Sequence, residues 1–434
     1  MRNFILSLGL FCSYPLYLFS QTSVAPLECI APFYHGVASG DPLSDRVIIW
    51  TRITPDDLSL TVFGNYKMAS DRNFQNVVSS GTFSTNINSD FTVKVDVTGL
   101  SPNTFYYYEF ECNNAHSAVG RTKTLPVGGV DNVRLAVVSC ANLEAGYFNS
   151  YKAVNERNDV DAVVMLGDYI YEYETGGYSP NSSVDRTWEP DEEIVSLNDY
   201  RLRYSSYHMD QSLRELHQNY PWICIWDDHE SANNAHFSGS DNHDASEGDW
   251  FLRKENSKKA FFEWLPIRPK TTDSLQIFRS FPFGNLFQLI MLDTRLEGRD
   301  EQLNATDPAL NDSTRTILGA NQFNWLKDQL ADTSTTWKVL GNQVMMGKIT
   351  LLGAPLNTDG WDGYPAERQR LYQHLSTENI DNMVVITGDI HTSWAINLQH
   401  QNQPVGVEFV APSVTSPGVP INVGGVLNFE NPHL

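Results

Sequence analysis

The chain has 434 residues, 41% of them hydrophobic and 12% aromatic, which excludes global disorder and points to two domains rather than one. A formal net charge of −22 argues against a nucleic-acid groove, which needs a basic stripe, so no sequence-specific nucleic-acid binding is expected. Phosphate esters stay open as substrates, because bound cations reverse the local field of an acidic protein.

Residues 1–20 read as a secretory signal peptide. Arg2 precedes an apolar run from Phe4 to Cys12, and Ser13, Tyr14 and Pro15 break that run before it is long enough to span a bilayer. The expectation is an exported protein, periplasmic or extracellular, with no integral membrane segment once the signal is removed. Removing Cys12 leaves Cys29, Cys112, Cys140 and Cys224. Cys29 and Cys112 are candidates to pair in an oxidising compartment. Cys224 lies in an apolar run and reads as core.

Residues 26–126 show β patterns only, with strands expected over 47–52, 60–64, 91–97 and 105–110. Several short alternating strands make an all-β sandwich. The stretch from Leu100 to Tyr106 resembles the fibronectin type III turn, in which the tyrosine packs at a corner. Residues 127–131 read as a linker. From 131 to 434 strands alternate with amphipathic stretches, which means an α/β layered domain. Strands are expected over 134–140, 162–171, 222–229, 286–294, 337–342 and 383–391. Helices are expected over 147–158, 197–218, 253–265, 320–330 and 365–375. The Gly-, Ser- and Pro-bearing insertion 173–199 is a candidate lid.

The strand exits carry the chemistry. They are Ser139-Cys140, Gly167-Asp168-Tyr169-Ile170-Tyr171, Trp226-Asp227-Asp228-His229-Glu230, Asp293-Thr294-Arg295, Gly341-Asn342-Gln343 and Gly388-Asp389-Ile390-His391. Ligands of α/β sheets bind at the carboxyl ends of strands. Acids, a thiol, a phenol and imidazoles crowded at one rim repel or desolvate one another without cations, so a metal cluster is expected. Carboxylates and amide oxygens suit Ca²⁺, Mg²⁺ or Mn²⁺. A Cys140 thiolate and a Tyr171 phenolate need a more highly charged ion, which points to Fe³⁺ beside an oxygen-liganded divalent ion.

Three of these motifs, Gly167-Asp168-Tyr169-Ile170-Tyr171-Glu172, Trp226-Asp227-Asp228-His229-Glu230 and Gly388-Asp389-Ile390-His391-Thr392-Ser393, resemble those of the PhoD-like alkaline phosphatases, which are calcineurin-like metallophosphoesterases. The stretches His35 to Pro42 and Val47 to Arg52 are similar to that family's N-terminal β domain. The resemblance implies a four-layer αββα metallophosphatase core after an all-β domain. It also implies hydrolysis of phosphate mono- and diesters, small-molecule or lipid, by in-line attack of a metal-held hydroxide or oxide. The implied cofactors are Fe³⁺ and Ca²⁺, and a monomer is expected. By motif, Cys140, Asp168, Tyr171 and Asp389 are implied as ferric ligands, with Asp168 bridging. Asp228 is implied as a divalent-side ligand, with Asn233 or Asn234 and His391 completing that shell. His229 is implied beside the substrate. Arg295 is a candidate phosphate contact, although an ion pair with an acid is the plainer reading, and Asp227 and Glu230 are expected as supports.

General metallophosphatases start with an Asp-x-His motif and carry a histidine after a Gly-Asn strand end. Here Ser139-Cys140-Ala141 and Gly341-Asn342-Gln343 replace them, which fits the PhoD-like pattern. The ending Asn431-Pro432-His433-Leu434 falls where family members continue, so a truncated chain is expected. Two alternatives stand beside the phosphatase. One is a phospholipase D-type phosphodiesterase with Trp188, Trp361 and Trp394 along an apolar slot. The other is a catalytically idle cell-surface binding protein.

Overall fold

A computed structural model describes residues 30–178, 180, 181, 183–270, 273, 275–351, 353–418 and 427–429. The expected signal peptide, Cys29 and the final four residues lie outside the described residues. No helix among the described residues is long and apolar enough to cross a membrane.

In chain order the N-terminal region contributes β1 (Val37–Gly40), β2 (Arg46–Arg52), β3 (Val62–Ala69), β4 (Val77–Thr85), β5 (Thr92–Thr98), β6 (Phe105–Cys112), β7 (Ala115–His116) and β8 (Gly120–Lys123). The strand expected over 60–64 therefore starts later and runs on to Ala69. Alternation along the strands sends one face inward. Val37, Val47, Ile49, Val93 and Val97 from β1, β2 and β5 meet Met68, Tyr106, Tyr108 and Phe110 from β3 and β6 in one core. That is a sandwich, as the alternation predicts. The Tyr106 hydroxyl accepts a hydrogen bond from the Ser101 backbone N–H at 2.9 Å, which closes the tyrosine corner.

The next strands are β9 (Leu135–Val138), β10 (Ala162–Met165) and β11 (Pro221–Cys224), with α1 (Asn149–Glu156), α2 (Leu197–Tyr207) and α3 (Gln211–Asn219) between them. The single helix expected over 197–218 is two helices. Ser196 and Asp199 form a capping box at the first, and the Asp210 carboxylate accepts the Leu213 N–H at 2.9 Å to start the second. A new N-cap inside an apolar-periodic run ends one helix and begins another.

Then come α4 (Trp250–Trp264), β12 (Arg279–Phe283), β13 (Phe287–Met291), α5 (Gly319–Ala331), β14 (Trp337–Gly341), β15 (Ile349–Leu351), β16 (Ala354–Pro355), α6 (Pro365–Thr377), β17 (Met383–Thr387), β18 (Trp394–His400), β19 (Gln403–Val410) and β20 (Leu427–Phe429). The main strands assemble into two six-stranded sheets. The first runs β5-β2-β1-β11-β10-β9 and the second β12-β13-β14-β17-β19-β18. Phe287, Leu289 and Met291 of β13 point toward the first sheet and share a core with Val163, Met165 and Ile223. Ile290, between them, turns to the opposite face and packs with Leu326 and Leu330 of α5 and Leu371 and Leu375 of α6. The mixed α/β class and the layered core agree with the sequence.

The two regions are not separate bodies. β1 pairs in parallel with β11, setting Ser39 against Pro221 and Gly40 against Trp222, so the first sheet is built from both. Gly40 allows it, since a Cβ there would come within 2.6 Å of the Trp222 and Pro266 carbonyls. The next residue, buried Asp41, accepts Arg279 Nη2 at 2.6 Å and so ties β1 to β12 of the second sheet. The N-terminal stretch His35 to Pro42 is thus built into the first sheet and tied to the second.

Candidate metal centre

Register brings the exits together. β10 lies between β9 and β11, with Met165 opposite both Val138 and Cys224. In the second sheet Gly341 of β14 faces Met291 of β13 and Ile386 of β17. Each strand ends earlier than expected, and its polar motif falls in the turn that follows. The turns are tight. Gly167 has a φ of 111°, and a Cβ on it would lie 2.4 Å from the Asp227 backbone nitrogen. Cys140, Asp168, Asp389 and His391 all adopt left-handed backbone, with φ of 60°, 55°, 65° and 56°. Non-glycine residues rarely sit there, and their concentration at one rim marks a constrained site.

Three sets of side-chain donor atoms lie within 4.8 Å of one another: Cys140, Asp168 and His391; Asp168, Asp228 and His229; Asp227, Asp228 and Asp389. Asp168 belongs to two sets and joins them. The Tyr171 hydroxyl donates to Asp168 Oδ2 at 3.1 Å and pairs with the Ser416 hydroxyl at 2.6 Å. Asn233 lies half-buried at the same rim, where its backbone N–H donates to Glu172 Oε1 at 2.6 Å. The Asn234 side chain turns away to Asp241, while its backbone N–H donates to Asp228 Oδ2 at 2.7 Å. His391, expected on the Asp228 side, stands with Cys140 and Asp168. Its Nδ1 donates to the Pro417 carbonyl at 3.0 Å.

Supports surround this set. Buried Glu230 accepts the backbone N–H groups of Asp168 at 3.0 Å, Tyr169 at 2.6 Å and Asp227 at 2.8 Å, and thereby fixes two exits against each other. His229 Nδ1 donates to the buried Glu172 carboxylate at 2.7 Å. Arg295 is fully buried, and its guanidinium donors go to Asp227, Asp359 and Asp389. The plainer reading of Arg295 as an ion-pair residue fits this geometry. Asn342 and Gln343 serve the scaffold: Gln343 Oε1 accepts the Thr294 N–H at 3.1 Å, which ties the β13 and β14 exits.

The residues fit cations. Asp168 Oδ1 is buried and has no hydrogen-bond partner, and Asp228 Oδ1, also without a hydrogen bond, has the Arg295 guanidinium 3.4 Å away. An orphaned buried carboxylate oxygen such as Asp168 Oδ1 is costly without a counter-charge. Burial, and then the Asp168 carboxylate, pushes the Cys140 thiol well above its ordinary range. Burial likewise raises Asp168 and Tyr171, and lifts Asp389 to about 7. A positive ion that replaces their protons lets these groups be anionic in this buried setting. For His229 burial opposes the imidazolium, yet Asp228, Glu172 and Asp168 outweigh it and hold the ring well above its usual value.

The sequence did not single out Asp359, Tyr178 or Ser416, and it assigned no role to Glu172. Glu172 stood inside a motif and was legible. Asp359 lies in an irregular stretch, and nothing local marks it as the partner of Arg295 and Arg299.

Comparison with known proteins agrees with this geometry. The family model for PhoD-like phosphatase matches residues 135–431, and the model for the PhoD-like phosphatase N-terminal domain matches residues 22–126. Alkaline phosphatase D of Bacillus subtilis (strain 168) is 37% identical over 438 residues, covering 95% of this chain and 74% of the relative. A solved structure of PhoD is 36% identical with a TM-score of 0.83, covering 90% of this chain and 79% of that one. Two family models, a relative alike over nearly the whole chain and a shared fold agree: this chain belongs to the PhoD-like phosphatase family.

Proposed function

We propose that this chain hydrolyses phosphate mono- and diesters at a centre of one ferric ion and one or more calcium ions, after export to the periplasm or the cell exterior. Family membership makes it a phosphoric ester hydrolase that depends on metal. The observation that carries the reading is Asp168, a buried carboxylate in left-handed backbone with one oxygen unpartnered and donor sets on both sides.

Cys140, Asp168, Tyr171 and Asp389 would hold the ferric ion. Asp168, Asp228 and Asn233 would hold the oxygen-rich site, and His391, grouped with Cys140 and Asp168, stands on the ferric side. When bound, such ions neutralise phosphoryl charge and supply an activated water. The protein's residues do the rest. Glu230 and the buried guanidinium of Arg295 hold the carboxylates in place, so Arg295 enters as a positioning residue. With Nδ1 taken by Glu172, His229 has Nε2 left to hold a proton for the departing alkoxide. The export proposal rests on the pattern of residues 1–20.

Elemental analysis of the purified chain, paired with a panel of mono- and diesters, tests this. Retained iron and calcium with ester cleavage is expected. Neither metal and no cleavage would favour the idle binding protein.

A further inference from the structure

A cavity of about 430 Å³ opens against Asp389 and His391 at the edge of the metal centre. We propose that it seats an apolar organic group of the substrate ester, taking the phosphate end from the hydrolase reading above. Its apolar lining is Met345, Ile349, Leu356 and Ile390, with the Tyr178 ring beside them. Among its described lining residues none is a lysine or arginine.

Several polar groups in the wall away from Asp389 and His391 are already engaged. Asp362 accepts the Ile349 N–H at 3.0 Å and pairs with Arg368 at 2.6 Å. The Thr392 hydroxyl accepts the Trp394 indole N–H at 2.6 Å. The Asn357 side-chain oxygen accepts the Asp359 N–H at 2.9 Å. A charged or polyhydroxylated group entering here gives up water and finds few partners. An apolar group gains by burial.

Tyr178 connects the cavity to the chemistry. Its ring stacks on Tyr171 at 5.1 Å and 19° and on Tyr173 at 5.1 Å and 12°, and lies 5.4 Å from His229. Held between those rings, it is a fixed wall shared by the metal centre and the cavity. Of the three tryptophans expected along an apolar slot, Trp188 and Trp361 are fully buried core, while half-buried Trp394 stands behind the wall, bonded to Thr392. The apolar part of the lining is Met345, Ile349, Leu356, Ile390 and Tyr178.

The test uses the metal-loaded full chain and two phosphonates that cannot be hydrolysed as esters. Calorimetry compares n-hexylphosphonate with methylphosphonate, and turnover compares n-hexyl with methyl p-nitrophenyl phosphate. The hexyl ligand is expected to bind about tenfold tighter or more, with a parallel preference in kcat/KM. Leu356→Glu, at the partly exposed rim, is expected to bring both hexyl-to-methyl ratios to within about twofold of one by placing a charge where the chain would lie. Leu356→Ala should fall between. Equal binding of the two phosphonates by the parent, or an unchanged ratio in Leu356→Glu, overturns the slot. Tighter hexyl binding with neither ester cleaved sinks the hydrolase reading and leaves the slot standing.

Discussion

The Arg295 guanidinium, delivered by the second sheet, donates from Nε to the Asp227 carboxylate delivered by the first. The same side chain meets Asp359 at 2.7 Å, Asp389 at 3.2 Å and Asp228 at 3.4 Å. Both Arg295 and Asp227 are buried, so the pair closes the rim across the two sheets. Breaking a buried pair from one side costs about 3–5 kcal/mol, because the remaining charge stays buried. Arg295→Gln is therefore expected to lose about that much stability in chelator-treated protein, read by urea unfolding. Reloading metal should shrink the gap, since cations then neutralise the same carboxylates. Equal midpoints for parent and variant without metal would remove Arg295 from this role.

Gly167 allows the turn that aims Asp168. Alanine there combines a φ of 111° with a Cβ 2.4 Å from the Asp227 backbone. Overpacking and backbone strain each cost roughly 1–3 kcal/mol, so Gly167→Ala should lower stability by about 3 kcal/mol and weaken metal retention. Thermal unfolding and metal content read the two effects separately. A variant with parental values for both would show that the turn relaxes freely.

Asp168 and His229 are expected to separate holding metal from chemistry. Asp168→Asn should abolish both metal retention and phosphate release. His229→Ala should keep the metal and slow turnover by roughly 10²–10⁴-fold, the usual range for acid–base assistance. Parental rates on p-nitrophenyl phosphate with Asp168→Asn would defeat the assignment.

Tyr169, the neighbour of Asp168, is anchored from below. Its hydroxyl meets His208 Nε2 at 3.0 Å and His217 Nε2 at 2.9 Å, all three side chains being buried. Burial pushes His208 down to about 3 and lowers His217 as well. The unfolded chain takes up these protons below its ordinary value near 6.5. Stability from His208 is thus complete above about pH 6.5 and falls as pH drops toward 3, with about 2 kcal/mol lost by pH 5. Unfolding midpoints between pH 7 and 4.5 should fall less steeply in His208→Gln than in the parent. Identical slopes would count against a neutral buried His208.

What the sequence determined was local. A buried strand announces itself by an apolar run, and the residue that leaves it is next in the chain, so Cys140, Asp168, Asp228 and Asp389 could be read at their exits. The tyrosine corner at Tyr106 was legible for the same reason. Tertiary structure alone decided which exits face each other. Parallel pairing of β1 with β11 joins segments far apart in the chain, and no periodicity encodes that partner. The same holds for Asp359 on Arg295, Ser416 on Tyr171, and Tyr178 between Tyr171 and Tyr173. His391 beside Cys140 was likewise a matter of sheet order. A side chain's identity fixes the chemistry it can perform, but its charge state and partners depend on which distant groups share its dry environment.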